Sequence, residues 1–282
     1  MTDGPVLLSL GYGYSAAAFA ASLPAAWRRI GTTRSGEKAA EMAAAGVEPV
    51  DPADTAALAR AIAAADHVLV SVPPGPEGDP MLAHLPALRA AAPKWVGYLS
   101  TTGVYGDRGG AWVDETAAPV PVNARSARRV VAEQAWLGSG LPVEVFRLAG
   151  IYGPGRSAFD RLREGRAQRI VKQGQVFCRI HAEDIAGALG RAVARPLPGR
   201  LVNLADDLPA PPWEVIAYAA ELLGMPPPPE ISFEEADLSP MARSFYGESK
   251  RVSNRRMREE LGYAPRYPDY RAGLGAILRA GG

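Results

Sequence analysis

Up to residue 147, short apolar runs alternate regularly with longer alanine-rich stretches. The apolar runs are the predicted strands: VLLSL (6–10), RRIGTT (28–33), VEPV (47–50), HVLVSV (67–72), WVGYLS (95–100) and VEVFRL (143–148). The stretches between them have helical character: SAAAFAASL, EKAAEMAAAG, DTAALARAIAAA, MLAHLPALRAAA and SARRVVAEQAWLG. Such alternation predicts an α/β fold, a doubly wound parallel sheet with helices on both faces. Ligands of these sheets bind at the carboxyl ends of the strands, where the strand order changes direction.

Beyond residue 150 the alternation loosens, and the proline-rich pieces PLPG, LPAPPW and GMPPPPE interrupt the chain. Apolar segments recur between them: VFCRI, WEVIAYAAELLG and YRAGLGAILRA. This pattern indicates the loops and turns of a folded region rather than a disordered tail. We therefore expect a smaller C-terminal α/β lobe.

The composition excludes several classes of partner. The net charge is +1 and the basic residues are spread along the chain, so neither nucleic acid nor a membrane is an expected partner. The single cysteine, Cys178, cannot form an internal disulfide. MTDGPVLLSLGYG lacks the features of a signal peptide, and no apolar run reaches membrane-spanning length. We expect a cytoplasmic protein.

The first predicted strand leads directly into a GxGxxA turn. Its residues are Gly11, Tyr12, Gly13, Tyr14, Ser15 and Ala16. Gly11 would permit the tight turn, Gly13 would let a pyrophosphate approach the backbone, and the next helix would present its N-terminus to that charge. The alternative is a flexible glycine turn, but the position after the first strand of a βαβ series favours a dinucleotide site. Residues 1–150 are therefore the predicted dinucleotide-binding Rossmann domain.

The second strand ends in GTTRS, where an NAD site usually carries an acidic residue. Arg34 and Ser35 offer a cation and a donor, which suit a 2′-phosphate better than two free hydroxyls. The alternative is an ordinary surface arginine, since only four of the 31 basic residues are lysines. We predict NADP as the cofactor, with NAD less favoured.

Two further strand ends would line the same groove. Ser71, Val72 and Pro73 would form a wall for the nucleotide, while Ser100 and Thr101 would present hydroxyls near the reactive ring. The alternative is that these hydroxyls cap the next segment.

Seven segments together resemble the extended short-chain dehydrogenases and reductases, the NAD(P)-dependent epimerase/dehydratase superfamily. They are GYGYSA, STTGVYG, VVAEQAW, FRLAGIYGPGR, RIHAEDIAGAL, LVNLADD and RMREELGYAP, and they cover nearly the whole chain. The resemblance implies an NADP-binding oxidoreductase or nucleotide-sugar epimerase-like enzyme with a small-molecule substrate. It also implies a homodimer. Residues 151–282 would be the substrate-binding lobe, from which the chain could cross back to the sheet.

The resemblance also implies roles for individual residues. Thr101 matches the catalytic serine or threonine that precedes the VYG segment. The loop Tyr152 to Gly155 resembles the one that closes beside the nicotinamide. His181 and Asp184 would stabilise the lobe junction, so we assign neither to a metal, and we expect no metal site.

The stretch NARSARRVVAEQAW departs from the resembled family at its catalytic helix. That family carries a YxxxK pair with a glutamate four positions later, and Glu133 sets the register so that tyrosine falls on Arg125 and lysine on Arg129. Arginine stays protonated, so Arg125 cannot exchange the proton that the tyrosine exchanges. We expect Arg129 to hold the cofactor as a fixed cation and Arg128 to be solvated. Val131 would be available for packing.

Further departures indicate a divergent branch of the family. Thr102 and Gly103 occupy the place of the acidic pair of dehydratases, and Leu10 stands where an additional glycine is usual. One hypothesis is an enzyme with a rearranged acid, which would pair Thr101 with Tyr152 or Tyr105; for Tyr105 we favour packing. The other is a noncatalytic NADP(H)-binding sensor or scaffold.

A basic and aromatic set in the C-terminal lobe indicates an anionic or nucleotide-sugar-like substrate. The substrate candidates are Phe159, Arg163, Tyr246 and Arg251, with Arg166, Phe245 and Lys250 nearby in the sequence. A solvated arginine face explains the same residues nearly as well.

Overall fold

A computed structural model describes residues 4–281 and shows how the apolar runs pair. The strands are β1 (Val6–Leu10), β2 (Arg28–Thr32), β3 (Glu48–Val50), β4 (His67–Val70), β5 (Trp95–Thr101), β6 (Trp112–Val113), β7 (Val143–Leu148), β8 (Gly150–Tyr152), β9 (Arg169–Val171), β10 (Arg179–His181), β11 (Leu201–Leu204), β12 (Glu230–Ser232) and β13 (Arg251–Val252). Seven of them form a parallel sheet in the order β3-β2-β1-β4-β5-β7-β11. The predicted fold class is confirmed.

Helices connect the strands. They are α1 (Tyr14–Ser22), α2 (Gly36–Ala44), α3 (Thr55–Ala64), α4 (Leu85–Ala91), α5 (Ala124–Leu137), α6 (Ala158–Arg163), α7 (Ala182–Ala194), α8 (Pro212–Leu222), α9 (Pro240–Phe245), α10 (Arg255–Glu259) and α11 (Tyr270–Arg279), with 3-10 turns at Pro80–His84 and Thr102–Tyr105. None of the helices within residues 4–281 is both long and apolar enough to span a bilayer.

The sheet is buried on both faces, which is why its strands are apolar throughout. Successive side chains of a strand point to opposite faces, so Leu7 packs with Phe19 of α1 and the α7 side, whereas Leu8 packs with Trp136 of α5 and the α3 and α4 side. The strand order reverses at β1 and β4. A ligand groove is therefore expected beyond the carboxyl ends of these two strands.

After residue 150 the chain alternates between a lobe and the sheet. Helix α7 packs against α1, and β11 pairs with β7 at the sheet edge. The lobe is held by short parallel pairs, β8 with β10 and β9 with β12, while β13 pairs with β6. A single cut at residue 150 would thus remove β11 from the sheet that it completes.

Candidate functional site

The turn after β1 is held by bonds from both neighbouring strands. The amide of Gly11 donates to Thr32 Oγ1 at 2.7 Å, and Ser71 Oγ donates to the Gly11 carbonyl at 2.6 Å. Gly11 has φ of +87°, and a Cβ there would lie 2.8 Å from Val72 Cγ2. Both the left-handed backbone and the close approach require glycine. Ser71 and Val72 therefore shape the turn.

The start of α1 is open. Gly13 precedes the helix without a side-chain cap, and a Cβ on Gly13 would meet no atom within 4 Å. The first backbone hydrogen bond of α1 runs from the Ala17 amide to the Gly13 carbonyl. By contrast, the side chains of Ser35 and Asp54 cap α2 and α3. The amides of residues 14–16 are the orphan donors of a helix start, so this end fits a pyrophosphate.

The side chains of the turn form walls around its backbone. Tyr12 lies over Gly31, where a Cβ would come within 2.6 Å of the Tyr12 ring. The Tyr14 hydroxyl donates to the Pro154 carbonyl at 2.9 Å and links α1 to the lobe. Ser15 is buried in the first turn of α1. The backbone therefore offers the anion contacts, and the two tyrosines limit access to it.

The end of β2 presents a free cation. Arg34 is exposed and forms no hydrogen bond or ion pair within residues 4–281. Ser35 accepts a hydrogen bond from the Lys38 amide at 3.2 Å and so caps α2. A Cβ on Gly36 would meet no atom within 4 Å. An unpaired guanidinium beside open space fits a phosphate better than a ribose hydroxyl.

Ser100 does not line the groove, contrary to our expectation. Its hydroxyl donates to Glu133 Oε1 at 2.5 Å, and the residue is 5% exposed. Ser100 therefore points towards Glu133 of α5. Pro73 is exposed beyond β4.

Thr101 is the last residue of β5, and its hydroxyl already takes part in one hydrogen bond. Its Oγ1 accepts a hydrogen bond from the Gly103 amide at 3.1 Å, which leaves the hydroxyl proton to donate. The Ser126 hydroxyl lies near that of Thr101, because both approach Gly103. A Cβ on Gly103 would be 2.8 Å from Ser126 Oγ and 3.3 Å from Thr101 Oγ1. Sequence reasoning missed Ser126, whose only signal was its place beside Arg125.

Arg129 is anchored at the end of β5. Its Nη1 donates to the Tyr98 hydroxyl at 3.0 Å and to the Leu99 carbonyl at 2.8 Å. Burial raises the pKa of Tyr98 to about 12, so its phenol stays protonated at neutral pH. The remaining donors of Arg129 are available to a ligand.

The other two arginines of α5 differ from each other. Arg125 is exposed, and its guanidinium carbon lies 4.9 Å from the centre of the Phe245 ring. Arg128 is half-buried and its Nε is buried without a partner among the described residues, so it is not solvated as expected. Val131 is 65% exposed rather than packed, because α5 buries the face that carries Trp136 instead.

Neither candidate phenol faces the groove. The Tyr152 hydroxyl donates to the Asp269 carbonyl at 3.3 Å, and a Cβ on Gly273 would be only 2.0 Å from it. Burial raises the pKa of the Tyr152 hydroxyl well above its ordinary value. Tyr152 is thus a core residue of the lobe, which contradicts its expected part as an acid. Tyr105 is fully buried and donates to Asn203 Oδ1 at 2.8 Å, which confirms the packing interpretation.

Three of the four substrate candidates are also structural. Phe159 is fully buried in the lobe core, and Tyr246 is 9% exposed and packs on Phe233. Arg251 bonds the carbonyl of Gly110. The Phe159 and Tyr246 side chains are therefore unavailable to a substrate, which corrects the expectation for these two residues, whereas Arg251 is half-buried. Arg163 is exposed and lies over the Phe159 ring.

The IHAED segment joins lobe and sheet. Asp184 is fully buried and accepts hydrogen bonds from the Tyr263 hydroxyl and the amides of Arg266 and Tyr267. His181 packs on the Tyr267 ring with centroids 4.2 Å apart. Both residues stabilise the junction as the resemblance implied. In the described part of the chain, no three His, Cys, Asp or Glu side chains are grouped to hold a metal ion.

Comparisons with known proteins extend this geometry. No family model matches the chain. Protein YeeZ of Escherichia coli K12 is 33% identical over 61% of this chain and 58% of its own length. A 3-diazoavenalumate denitrifying reductase of Streptomyces is 31% identical over 56% of this chain and 55% of its own. The matched stretch thus spans little more than half of each relative.

Two solved structures match over almost the whole chain. A conserved protein of unknown function from Silicibacter pomeroyi DSS is 51% identical, with a TM-score of 0.91 over 98% of this chain and 99% of that one. A Methylobacillus flagellatus protein assigned to the NAD-dependent epimerases and dehydratases is 26% identical, with a TM-score of 0.75 over 98% of both chains. The fold and the likeness support placement of the chain in the NAD-dependent epimerase/dehydratase superfamily.

Proposed function

We propose that the protein binds NADP(H) and acts as a reductase with a non-standard active site. The observation that carries the proposal is the unpaired Arg34 guanidinium at the end of β2, beside the uncapped start of α1. The likeness to a reductase and to an NAD-dependent superfamily member supports the reaction class.

Different groups of the chain would bind different parts of the cofactor and the substrate. The amides at the start of α1 and the space at Gly13 would accept the pyrophosphate, and Arg34 would pair with the 2′-phosphate. Arg129, held by Tyr98 and the Leu99 carbonyl, would contact the ribose with its remaining donors. Thr101 would donate a hydrogen bond from its hydroxyl to the substrate oxygen or nitrogen.

The chemistry follows from what replaces the usual tyrosine. A bound NADPH supplies a hydride. Arg125 keeps its proton at any workable pH, and the phenols of Tyr105 and Tyr152 are buried elsewhere, so none of these three residues would act as the acid. Water would then provide the proton, which favours an acceptor that needs little acid assistance over sugar epimerisation.

The test is a single-turnover assay with stoichiometric NADPH and a panel of aldehydes, ketones and electron-poor nitrogen compounds. We expect NADPH to bind and at least one acceptor to oxidise it faster than in free solution. Failure of NADPH to bind would refute the proposal.

A noncatalytic NADP(H) sensor or scaffold is the second candidate, favoured by the burial of both candidate phenols, Tyr105 and Tyr152. It predicts tight NADPH binding with no oxidation by any acceptor in the same panel. A homodimer through α5, whose Val131 is 65% exposed, is part of either proposal. Sedimentation of the native protein and of Val131→Arg tests it, with loss of the dimer in the variant as the expected result.

A further inference from the structure

Arg125 is a cation without an anion at the position where related enzymes place their tyrosine. It is exposed and makes no hydrogen bond or ion pair within residues 4–281. Its one recorded contact is with the Phe245 ring, 4.9 Å from guanidinium carbon to centroid. A guanidinium over a ring keeps the N–H donors at its edge available.

The first turn of α5 lies between the end of β5 and the lobe. On the sheet side, Ser126 is buried against Gly103 and Thr101. On the lobe side, Asn123 Nδ2 donates to Glu248 Oε1 at 3.0 Å. These contacts hold the helical turn that carries Arg125 between the sheet and the lobe.

Two apolar side chains adjoin Arg125: Phe245 lies against its guanidinium, and Val122 is three positions before it in the chain. Val122 and Phe245 are 54% and 48% exposed, which is unusual for side chains of their size. The Glu248 carboxylate on the lobe side is neutralised by its ion pair with Lys250. A free guanidinium beside apolar surface suits a ligand with one negative charge and an apolar body.

We propose that Arg125 binds the carboxylate of the substrate, a small aromatic or alkyl carboxylate whose apolar body lies against Val122 and Phe245. This assignment deepens and rests on the proposed reductase function, since it orients the reducible group towards Thr101. It also gives the substituted position a binding role in place of proton transfer. A guanidinium and a carboxylate form paired hydrogen bonds with defined geometry, so the contact would orient as well as attract.

The test titrates native protein, saturated with NADP⁺, with benzoate and with benzamide, its neutral isostere, by calorimetry at constant ionic strength. We expect benzoate to bind on the order of 10-fold more tightly than benzamide, as one charge-assisted contact implies. Arg125→Gln should remove this difference, and Arg125→Lys should keep part of it. Arg60→Gln, which changes an exposed arginine on α3, is the matched control and should leave it unaffected.

The outcomes separate the two proposals. Equal affinity for benzoate and benzamide in native protein that binds NADP⁺, or a difference that survives Arg125→Gln, would overturn the carboxylate site and leave the cofactor proposal standing. Absence of NADP⁺ binding with Arg125-dependent benzoate binding would refute the reductase and keep the anion site. Arg125-dependent binding of inorganic phosphate that is tighter than that of benzoate would overturn the choice of a carboxylate.

Discussion

In the proposed cofactor site, Arg34 would determine whether NADPH or NADH binds more tightly. Its guanidinium has no competing anion within residues 4–281, so a 2′-phosphate would gain a charge-assisted contact worth roughly 1.5–3 kcal/mol. Arg34→Ala should therefore weaken NADPH binding by on the order of 10- to 100-fold and leave NADH binding unchanged. Calorimetric titration of both cofactors measures this, with Arg60→Ala as the control. Equal losses for NADH and NADPH would show that Arg34 does not contact the 2′-phosphate.

Gly13 leaves the space into which a pyrophosphate would fit. No atom lies within 4 Å of the Cβ that another residue would place there, so Gly13→Val should fold normally and lose cofactor binding. Gly190→Val is the matched control, because its Cβ would also enter open space but on α7. Circular dichroism checks the fold and fluorescence titration checks NADPH. Undiminished binding by folded Gly13→Val would place the pyrophosphate elsewhere.

Asp206 makes stability depend on pH. It is 2% exposed, and burial raises its pKa from an ordinary 3.8 to about 8, although the nearby Arg179 opposes this. The folded protein therefore binds a proton that the unfolded chain has lost, and the stability so gained is full below pH 3.8 and disappears as pH rises through about 8.

Between pH 5 and pH 8 the native protein should lose more unfolding free energy than Asp206→Asn, by up to roughly 1.4 kcal/mol per pH unit. Urea unfolding at several pH values measures the difference. Parallel curves for the two proteins would mean that Asp206 ionises normally in the fold.

The sequence identified backbone features of the site better than side-chain directions. Gly11 and Gly13 were predictable because a turn after the first strand has a fixed geometry. Ser100 and Tyr152 were not, since their roles depend on which side of β5 faces α5 and on how the lobe packs. Both are set by contacts with distant segments.

Helix α5 is joined to the sheet by a buried ion pair. Glu133 and Arg147 approach to 2.7 Å with side chains 4% exposed, and Ser100 also donates to Glu133. This ion pair fixes which residues of α5 lie beside the end of β5.

Removal of one partner leaves an uncompensated buried charge. Glu133→Gln should therefore lower the free energy of unfolding by roughly 3–5 kcal/mol. Glu48→Gln, which breaks the exposed pair with Arg28, should cost about 1 kcal/mol or less. Urea unfolding compares the two variants. Equal small losses would show that the buried pair does not anchor α5.

Six of the seven strands of the sheet were predicted within one or two residues, because burial on both faces makes them mostly apolar. The short pairs of the lobe were not, since two or three residues carry no usable periodicity. They pair only because tertiary contacts bring together segments as distant as β6 and β13.

In the whole molecule, the candidate site lies between the sheet and the C-terminal lobe. The sheet supplies the glycine turn, Arg34 and Thr101, while the lobe supplies Phe245 opposite Arg125. The return of α7 and β11 to the sheet ties the two parts together. In the proposed function, cofactor and substrate would therefore meet at the carboxyl ends of the strands.

The cofactor preference of the native protein is the central claim, and parallel calorimetric titration with NADPH and NADH tests it directly. With Arg34 unpaired and no carboxylate in the GTTRS segment, we predict that NADPH binds at least about 10-fold more tightly than NADH. Equal affinities, or tighter binding of NADH, would contradict the account.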